Sequence, residues 1–350
     1  MILNFFKVLV PTSMAFAIGI AITPIITHYL YKYKMWKKKA RNEALGGGET
    51  PIFNKLHKEK EVNTPRMGGL VISISVLITT LFFWLVALIL ADDLSLKMNF
   101  LSRSQTWLPF SILIISSIVG FIDDYLVVSG KGGYIAGGLP LKVRVGYVAL
   151  VGLIAGWWFF NKLGVSSITL PFDGDLSLGI FFIPIFIIIM VGIFSGGVID
   201  GIDGLSGGVF TAIFSAYGVI ALIQHQIDLS AFCFVIAGAL LAFLWFNIPP
   251  ARFYMSETGI LALTTSLVVV AFLTRQVIVL PIIAFPLVAT SASVIIQYFS
   301  KKIRGKKVFL VAPVHHHFEA LGWPNYKVAM RYWILSVMFA IFGMVIAIIG

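Results

Sequence analysis

Ten long apolar stretches set the terms on which this chain can fold. They lie at about 5–30, 68–90, 107–122, 143–160, 179–198, 205–225, 231–247, 258–274, 279–299 and 328–349, with most charges pushed between them. A helix needs about 20 mainly apolar residues to cross roughly 30 Å of hydrocarbon, so most stretches have the length of one span. The runs are continuous rather than alternating, which argues against a transmembrane barrel. Composition agrees, since 59% of the 350 residues are hydrophobic and only 12% are charged, too few to solvate a soluble domain. The expected fold class is all-α: a polytopic integral membrane protein of about ten transmembrane helices, forming one domain over 1–350. Stretches 107–122 and 258–274 are short, and Pro184, Pro281 and Pro286 predict kinks or breaks. The first stretch carries an early lysine, Lys7, but no obvious small-residue cleavage site, and is read as a retained helix. The single cysteine, Cys233, lies within an apolar run and offers no disulfide framework.

Basic residues orient such a bundle. Loops at about 31–66, 123–144, 248–257 and 300–331 hold 10, 3, 1 and 7 of the 26 lysines and arginines. By the positive-inside rule the loops at about 31–66, 123–144, 199–204, 248–257 and 300–327 are cytoplasmic and both termini lie outside. Topogenesis and attraction to anionic headgroups account for the net charge of +11. Membrane lipids are therefore expected partners, and no motif supports nucleic-acid binding.

The acidic residues narrow the chemistry. Asp123, Asp124, Asp200, Asp203, Glu257 and Glu319 all fall at the cytoplasmic ends of spans or in cytoplasmic loops, as do His315, His316 and His317. Ionisable groups at membrane level are expensive and are functional candidates by default. "GFIDDY" (120–125) closes the third stretch with paired carboxylates, which alone would suit an ordinary helix end meeting water. "VIDGIDGLSGG" (198–208) is sharper: Asp200 and Asp203 are three apart and would share one face of a helical turn, with glycines that admit a close ligand. "FLWFNIPPARFYMSETGILAL" (243–263) adds Asn247, Tyr254 and Glu257. Spaced acids on such loops suit Mg²⁺, which binds through one or two carboxylates plus substrate phosphates. "HHHFE" (315–319) comes without cysteine or HExxH, so imidazoles donating to phosphate are favoured over zinc.

The blocks "TPRMGG" (64–69), "GFIDDY", "DGIDGL" (200–205), "FLWFN" (243–247) and "PVHHHFEALGWPNYKVAMRYWI" (313–334) occur in the order found in phospho-N-acetylmuramoyl-pentapeptide transferases. The chain resembles that family over almost its whole length. The DD and DGxDG elements are common to the wider polyprenyl-phosphate N-acetylhexosamine-1-phosphate transferase superfamily, and the histidine block with its GW points to the muramoyl branch. The resemblance implies transfer of phospho-MurNAc-pentapeptide from UDP-MurNAc-pentapeptide to undecaprenyl phosphate, giving lipid I and UMP with Mg²⁺, in a homodimeric enzyme of the bacterial cytoplasmic membrane. Carried over by position, it implies catalytic roles for Asp123, Asp124, Asp200, His315, His316 and His317. It implies substrate binding by Thr64, Asp203, Asn247 and Tyr254 and metal binding by Glu257 and Asp200, with Lys58 or Lys60, off the matched position, expected to bind substrate in place of the family's lysine.

Departures from the family pattern accompany the likeness. Gly197 stands where an asparagine is common, Ser256-Glu257 where a Gly-Asp pair is usual, and Arg66 where the block usually has threonine. Glu61 replaces a lysine, leaving Lys58 and Lys60 as the nearby cations. A phosphate monoester has a second pKa near 6 and is already nucleophilic at neutral pH. Positioning and charge neutralisation are therefore expected to outweigh proton abstraction. The alternatives are a relative using another UDP-N-acetylhexosamine, a non-catalytic homologue, and a transporter, which the scarcity of carboxylates inside the spans disfavours.

Overall fold

The computed structural model describes residues 2–38, 62–131 and 137–350. The apolar stretches form α1 (Ile2–Lys32), α2 (Gly69–Leu90), a short α3 (Asp93–Met98), α4 (Trp107–Ser129), α5 (Leu141–Lys162), α6 (Phe182–Ser195), α7 (Leu205–Ile223), α8 (Ile227–Asn247) and α9 (Ser256–Leu273). They continue as α10 (Leu280–Ile283), α11 (Phe285–Arg304), α12 (Val314–Ala320) and α13 (Asn325–Ile349). Among the described residues nine helices are long and apolar enough to cross a membrane. Among the described residues the all-α expectation holds apart from one hairpin, β1 (Ser167–Leu170) with β2 (Gly174–Ser177), paired antiparallel.

The remaining expected span, 279–299, is divided. Pro281 and Pro286 each sit in the first turn of their own helix, and the chain breaks at Ala284. The second piece, α11, carries serines, a threonine and a glutamine through its middle and lysines at its end, so it is less apolar than its neighbours. Pro184 lies in the first turn of α6, where its missing N–H would have no partner anyway, and α6 runs on without a break.

Helix α9 is the axis of the bundle: nearly all of it is buried, whereas α1 and α13 expose most of their length. It packs most extensively on α4. Midway along it the buried hydroxyls of Thr264 and Thr265 donate to the preceding turn, and Thr265 also donates to Ser116 of α4. Close packing through small residues is how apolar helices associate in lipid. At Gly120 of α4 an added Cβ would lie 2.2 Å from the Glu257 carbonyl oxygen, so only glycine permits this approach. Beside it, Phe159, Phe182, Phe186 and Phe272 stack into one aromatic cluster, with Phe186 and Phe272 rings 4.1 Å apart.

The bundle has two distinct ends. At one, Arg275 pairs with Asp175 of the hairpin and Phe172 donates its N–H to the carbonyl of Gly350. Lys7 of α1 pairs with Asp228 in the first turn of α8, so both termini share this end. The other end gathers the C-termini of α4, α6 and α8 and the N-termini of α5, α7 and α9, and it carries the candidate site.

Candidate active site

The third apolar run does not stop at its paired carboxylates. Leu126, Val127 and Val128 carry α4 onward to Ser129, where Gly130 ends it at φ 69°. Asp123 and Asp124 are therefore buried within a helix rather than placed at its water-facing end, because the start of α9 covers Asp124 and the segment at Gly138 and Leu139 covers Asp123. Asp124 is fully engaged. Its Oδ1 accepts from Nε and Nη2 of Arg66 at 3.1 and 3.0 Å, and its Oδ2 accepts from the N–H and hydroxyl of Thr258 at 2.9 and 2.6 Å. Asp123 accepts the Leu139 N–H at 2.5 Å.

The segment before α2 is laid against the start of α9 by backbone hydrogen bonds. Tyr254 N–H donates to Pro65 O, Gly68 N–H to Tyr254 O and Gly69 N–H to Met255 O, at 2.8, 2.8 and 3.1 Å. This clamp brings Arg66 and Tyr254 to the same end of the bundle. Asp200 then meets α9 from a third side. Its Oδ2 accepts the Ser256 N–H at 2.7 Å and its Oδ1 the Ser206 hydroxyl at 2.8 Å. The first N–H groups of a helix lack intrahelical acceptors and favour negative charge. Asp200 and Asp124, from two different elements, supply that charge on either side of Glu257. Desolvation lifts the Asp200 carboxyl above its ordinary value, against the pull of its two hydrogen bonds, so it takes up a proton at higher pH than a free aspartate.

Glu257 is the least satisfied of these acids. Its Oε1 pairs with Arg144, whereas its buried Oε2 has no hydrogen-bond partner among the described residues. Arg66 also lies within electrostatic reach of Glu257 and Asp200, and Glu257 within reach of Asp123. Four carboxylates and two guanidinium groups thus share one pocket of charge. Ser256 enters it at φ 56°, a left-handed conformation that glycine adopts without a Cβ penalty. Its hydroxyl is buried without a partner. Ser256→Gly is expected to raise stability by about 1 kcal/mol, read as a higher Tm of the detergent-solubilised protein.

Residues 200–204 form an irregular turn, so Asp200 and Asp203 do not share a helical face. Asp200 turns to α9, while Asp203 lies near the Ala251 N–H, at 3.4 Å. Asn247 braces this turn, accepting from Gly204 N–H at 3.0 Å and donating to Phe253 O at 2.7 Å. Gly204 takes φ 78°, and its carbonyl accepts the indole N–H of Trp333 at 3.0 Å. At Gly201 an added Cβ would lie 2.7 Å from Nε2 of His315 and 2.8 Å from Nε2 of His316, so the histidines are seated directly on the turn. Gly197 is equally constrained, since a Cβ there would lie 2.3 Å from Cγ2 of Ile260.

The histidines divide their tasks. His316 pairs with Glu319 through Nδ1 at 2.6 Å, one turn along the same short helix. His317 accepts the Leu310 N–H at 3.2 Å and packs on Phe309, holding its own loop. His315 is buried against His316 and Tyr332. The "GW" that follows has a mechanical role: Trp323 stacks on Phe318, and Arg331 lies 4.0 Å over its ring.

The structure thus brings Asp123, Asp124, Asp200 and Glu257 together, with His315 and His316 reaching them through the 200–204 turn. Thr64 lies beside the clamp, partly buried, and Lys58, Lys60 and Glu61 lie outside the described residues. Arg66 and Arg144 join the site although no motif in the sequence marks them as site residues. A signal existed for Arg144: it lies in the first turn of α5, where a cation opposes the helix dipole unless an anion faces it. Among the described residues no three histidine, cysteine or carboxylate side chains gather as a ready metal cage.

The sequence profile of the family described as Glycosyl transferase family 4 matches residues 106–275. A phospho-N-acetylmuramoyl-pentapeptide-transferase of Anoxybacillus flavithermus is 34% identical over 97% of this chain and 98% of its own length. One from Listeria welshimeri is 34% identical over 96% of this chain and 97% of its own length. One from Chloroflexus aurantiacus is 33% identical over 90% and 85% respectively.

Proposed function

We infer the function from one premise: the chain belongs to the phospho-N-acetylmuramoyl-pentapeptide transferase family, to which it is alike from end to end. It is a multi-pass membrane transferase of peptidoglycan biosynthesis that moves phospho-MurNAc-pentapeptide from UDP-MurNAc-pentapeptide to undecaprenyl phosphate, releasing UMP and forming lipid I. The site-bearing end of the bundle faces the cytoplasm, both termini face outward, and the family likeness supports a homodimer.

The observation that carries the site is Glu257 Oε2, a carboxyl oxygen buried without a donor, with two acids bracing the backbone of the residues on either side of it. It fits a hard divalent cation, which needs only one or two carboxylates when phosphates complete its shell. In this reading Glu257 holds Mg²⁺, and Asp200 and Asp124 position Glu257 by fixing the first turn of α9. Mg²⁺, when bound, supplies charge neutralisation to the phosphates. Arg144 shares Glu257 until the anionic substrates enter, and its guanidinium then faces phosphate oxygens, which it matches as well as a carboxylate. Arg66 holds Asp124 and lowers the net negative charge that the two anionic substrates meet. His315 and His316 act from the 200–204 turn on phosphate or sugar groups. Tyr254, Asn247 and Asp203 line or support the nucleotide side, with Thr64, Lys58 and Lys60 on the segment that leads into α2.

Attack by the dianionic lipid phosphate on the proximal phosphorus of the UDP-sugar expels UMP, and no proton need leave the nucleophile first. The test is UMP release by the purified protein with Mg²⁺ and undecaprenyl phosphate. Release from UDP-MurNAc-pentapeptide, with none from UDP-N-acetylglucosamine, is the expected result. The reverse preference would assign the chain to another branch of the superfamily.

A further inference from the structure

Helix α11 is amphipathic in the inverted sense. Its polar residues Ser291, Ser293, Gln297 and Ser300 are buried, while Ile295, Ile296, Tyr298, Phe299 and Ile303 are exposed. The buried ones are spent on fixing the return of the chain. Ser293 accepts the Val314 N–H at 2.9 Å, and Gln297 Oε1 accepts the N–H groups of Val308 and Phe309, both at 3.0 Å. Ser300 donates to Lys306 O at 2.9 Å. These bonds hold a turn that presents Lys301, Lys302, Arg304, Lys306 and Lys307, all exposed. None of the five makes an ion pair with another described residue, and no acid lies between positions 301 and 307. Ile303, 78% exposed, sits in their midst, and Val308 and Leu310 follow.

An apolar face that ends in a cluster of cations, none paired with a described acid, matches one environment, the boundary between acyl chains and anionic headgroups. We propose that the outer face of α11 and the 301–307 turn form a docking surface for anionic phospholipid of the surrounding bilayer. The turn is tied by Gln297 and Ser293 to the segment that enters α12, so lipid held there fixes the platform on which His315 and His316 are carried. The inference stands whichever sugar nucleotide the enzyme uses.

Native mass spectrometry of the full chain in detergent tests this, with phosphatidylglycerol and phosphatidylcholine added in turn. The wild type is expected to retain phosphatidylglycerol preferentially. Joint replacement of Lys301, Lys302, Arg304, Lys306 and Lys307 by Gln is expected to weaken that retention at least about tenfold, while Lys97→Gln with Lys162→Gln leaves it unchanged. Equal retention of the two lipids by the wild type would overturn the proposal. So would a larger loss of undecaprenyl phosphate retention than of phosphatidylglycerol retention in the five-residue variant, which would make the turn a lipid-substrate site. Should the five-fold variant fail to fold, the wild type alone decides: retention must fall steeply between low and high salt, and salt-independent retention counts against the surface.

Discussion

Glu257→Ala is expected to lower the rate of UMP release by about two to three orders of magnitude, the loss typical of removing one preorganised electrostatic contact at a reacting group. The carboxylate is the only acid of the site with a buried oxygen that lacks a donor among the described residues. Its neighbours already spend both oxygens, Asp124 on Arg66 and Thr258, and Asp200 on Ser206 and Ser256. A second readout separates metal binding from other losses. Mn²⁺ titrated into the protein and followed by electron paramagnetic resonance should bind the wild type and not the alanine variant. Glu257→Gln keeps the shape and removes the charge, and should fail in the same way. The fold should survive either change, since both Glu257 and its partner Arg144 keep some exposure to solvent. Wild-type rates and Mn²⁺ binding in Glu257→Ala would refute the assignment.

Asp124→Ala is expected to cost about 3–5 kcal/mol of stability, as does breaking a buried ion pair by removing one partner. The Asp124 side chain is fully buried and Arg66 is only 20% exposed. Its loss strands the guanidinium and leaves two donors of Thr258 without their acceptor. Adding Arg66→Thr to that variant removes the stranded charge and should restore a substantial part of the loss. The double-mutant cycle therefore predicts a coupling of about 1–3 kcal/mol, within the range seen for contacting residues. Thermal unfolding in detergent measures it. Additive effects of the two substitutions would show that Asp124 does not serve Arg66. Activity separates the roles further: an Asp124 variant that turns over normally below its unfolding temperature would mark this acid as a brace only.

Much of this architecture is legible in the chain as written. Continuous apolar runs make helices because an extended backbone would leave its amides unpaired in hydrocarbon. The breaks at Pro281 and Pro286 follow from the missing N–H and the ring clash of proline. The end of α4 was harder to read. The charges of Asp123 and Asp124 look like a stop, yet Leu126–Val128 continue the helix and Gly130 ends it one turn later. What overrides the stop lies outside α4: Thr258 of α9 donates to Asp124 and the Leu139 N–H to Asp123, which makes both buried carboxylates tolerable, and such compensation cannot be seen from within α4.

The division between sequence and tertiary structure therefore follows the range of the interactions. Hydropathy and the order of the blocks determine by themselves that the chain crosses a membrane many times, that its acids and histidines gather near one end, and which family it resembles. Only the tertiary structure decides which acid is saturated and which retains an open oxygen. Arg66 reaches Asp124 across 58 positions, Arg144 reaches Glu257 across 113, and Thr258 reaches Asp124 across 134. Residues so far apart are joined by packing and carry no periodic signal in the sequence. The histidine block shows the same division: its composition points to phosphate chemistry, but the fold gives His316 to Glu319, His317 to its own loop, and His315 to the turn at Gly201.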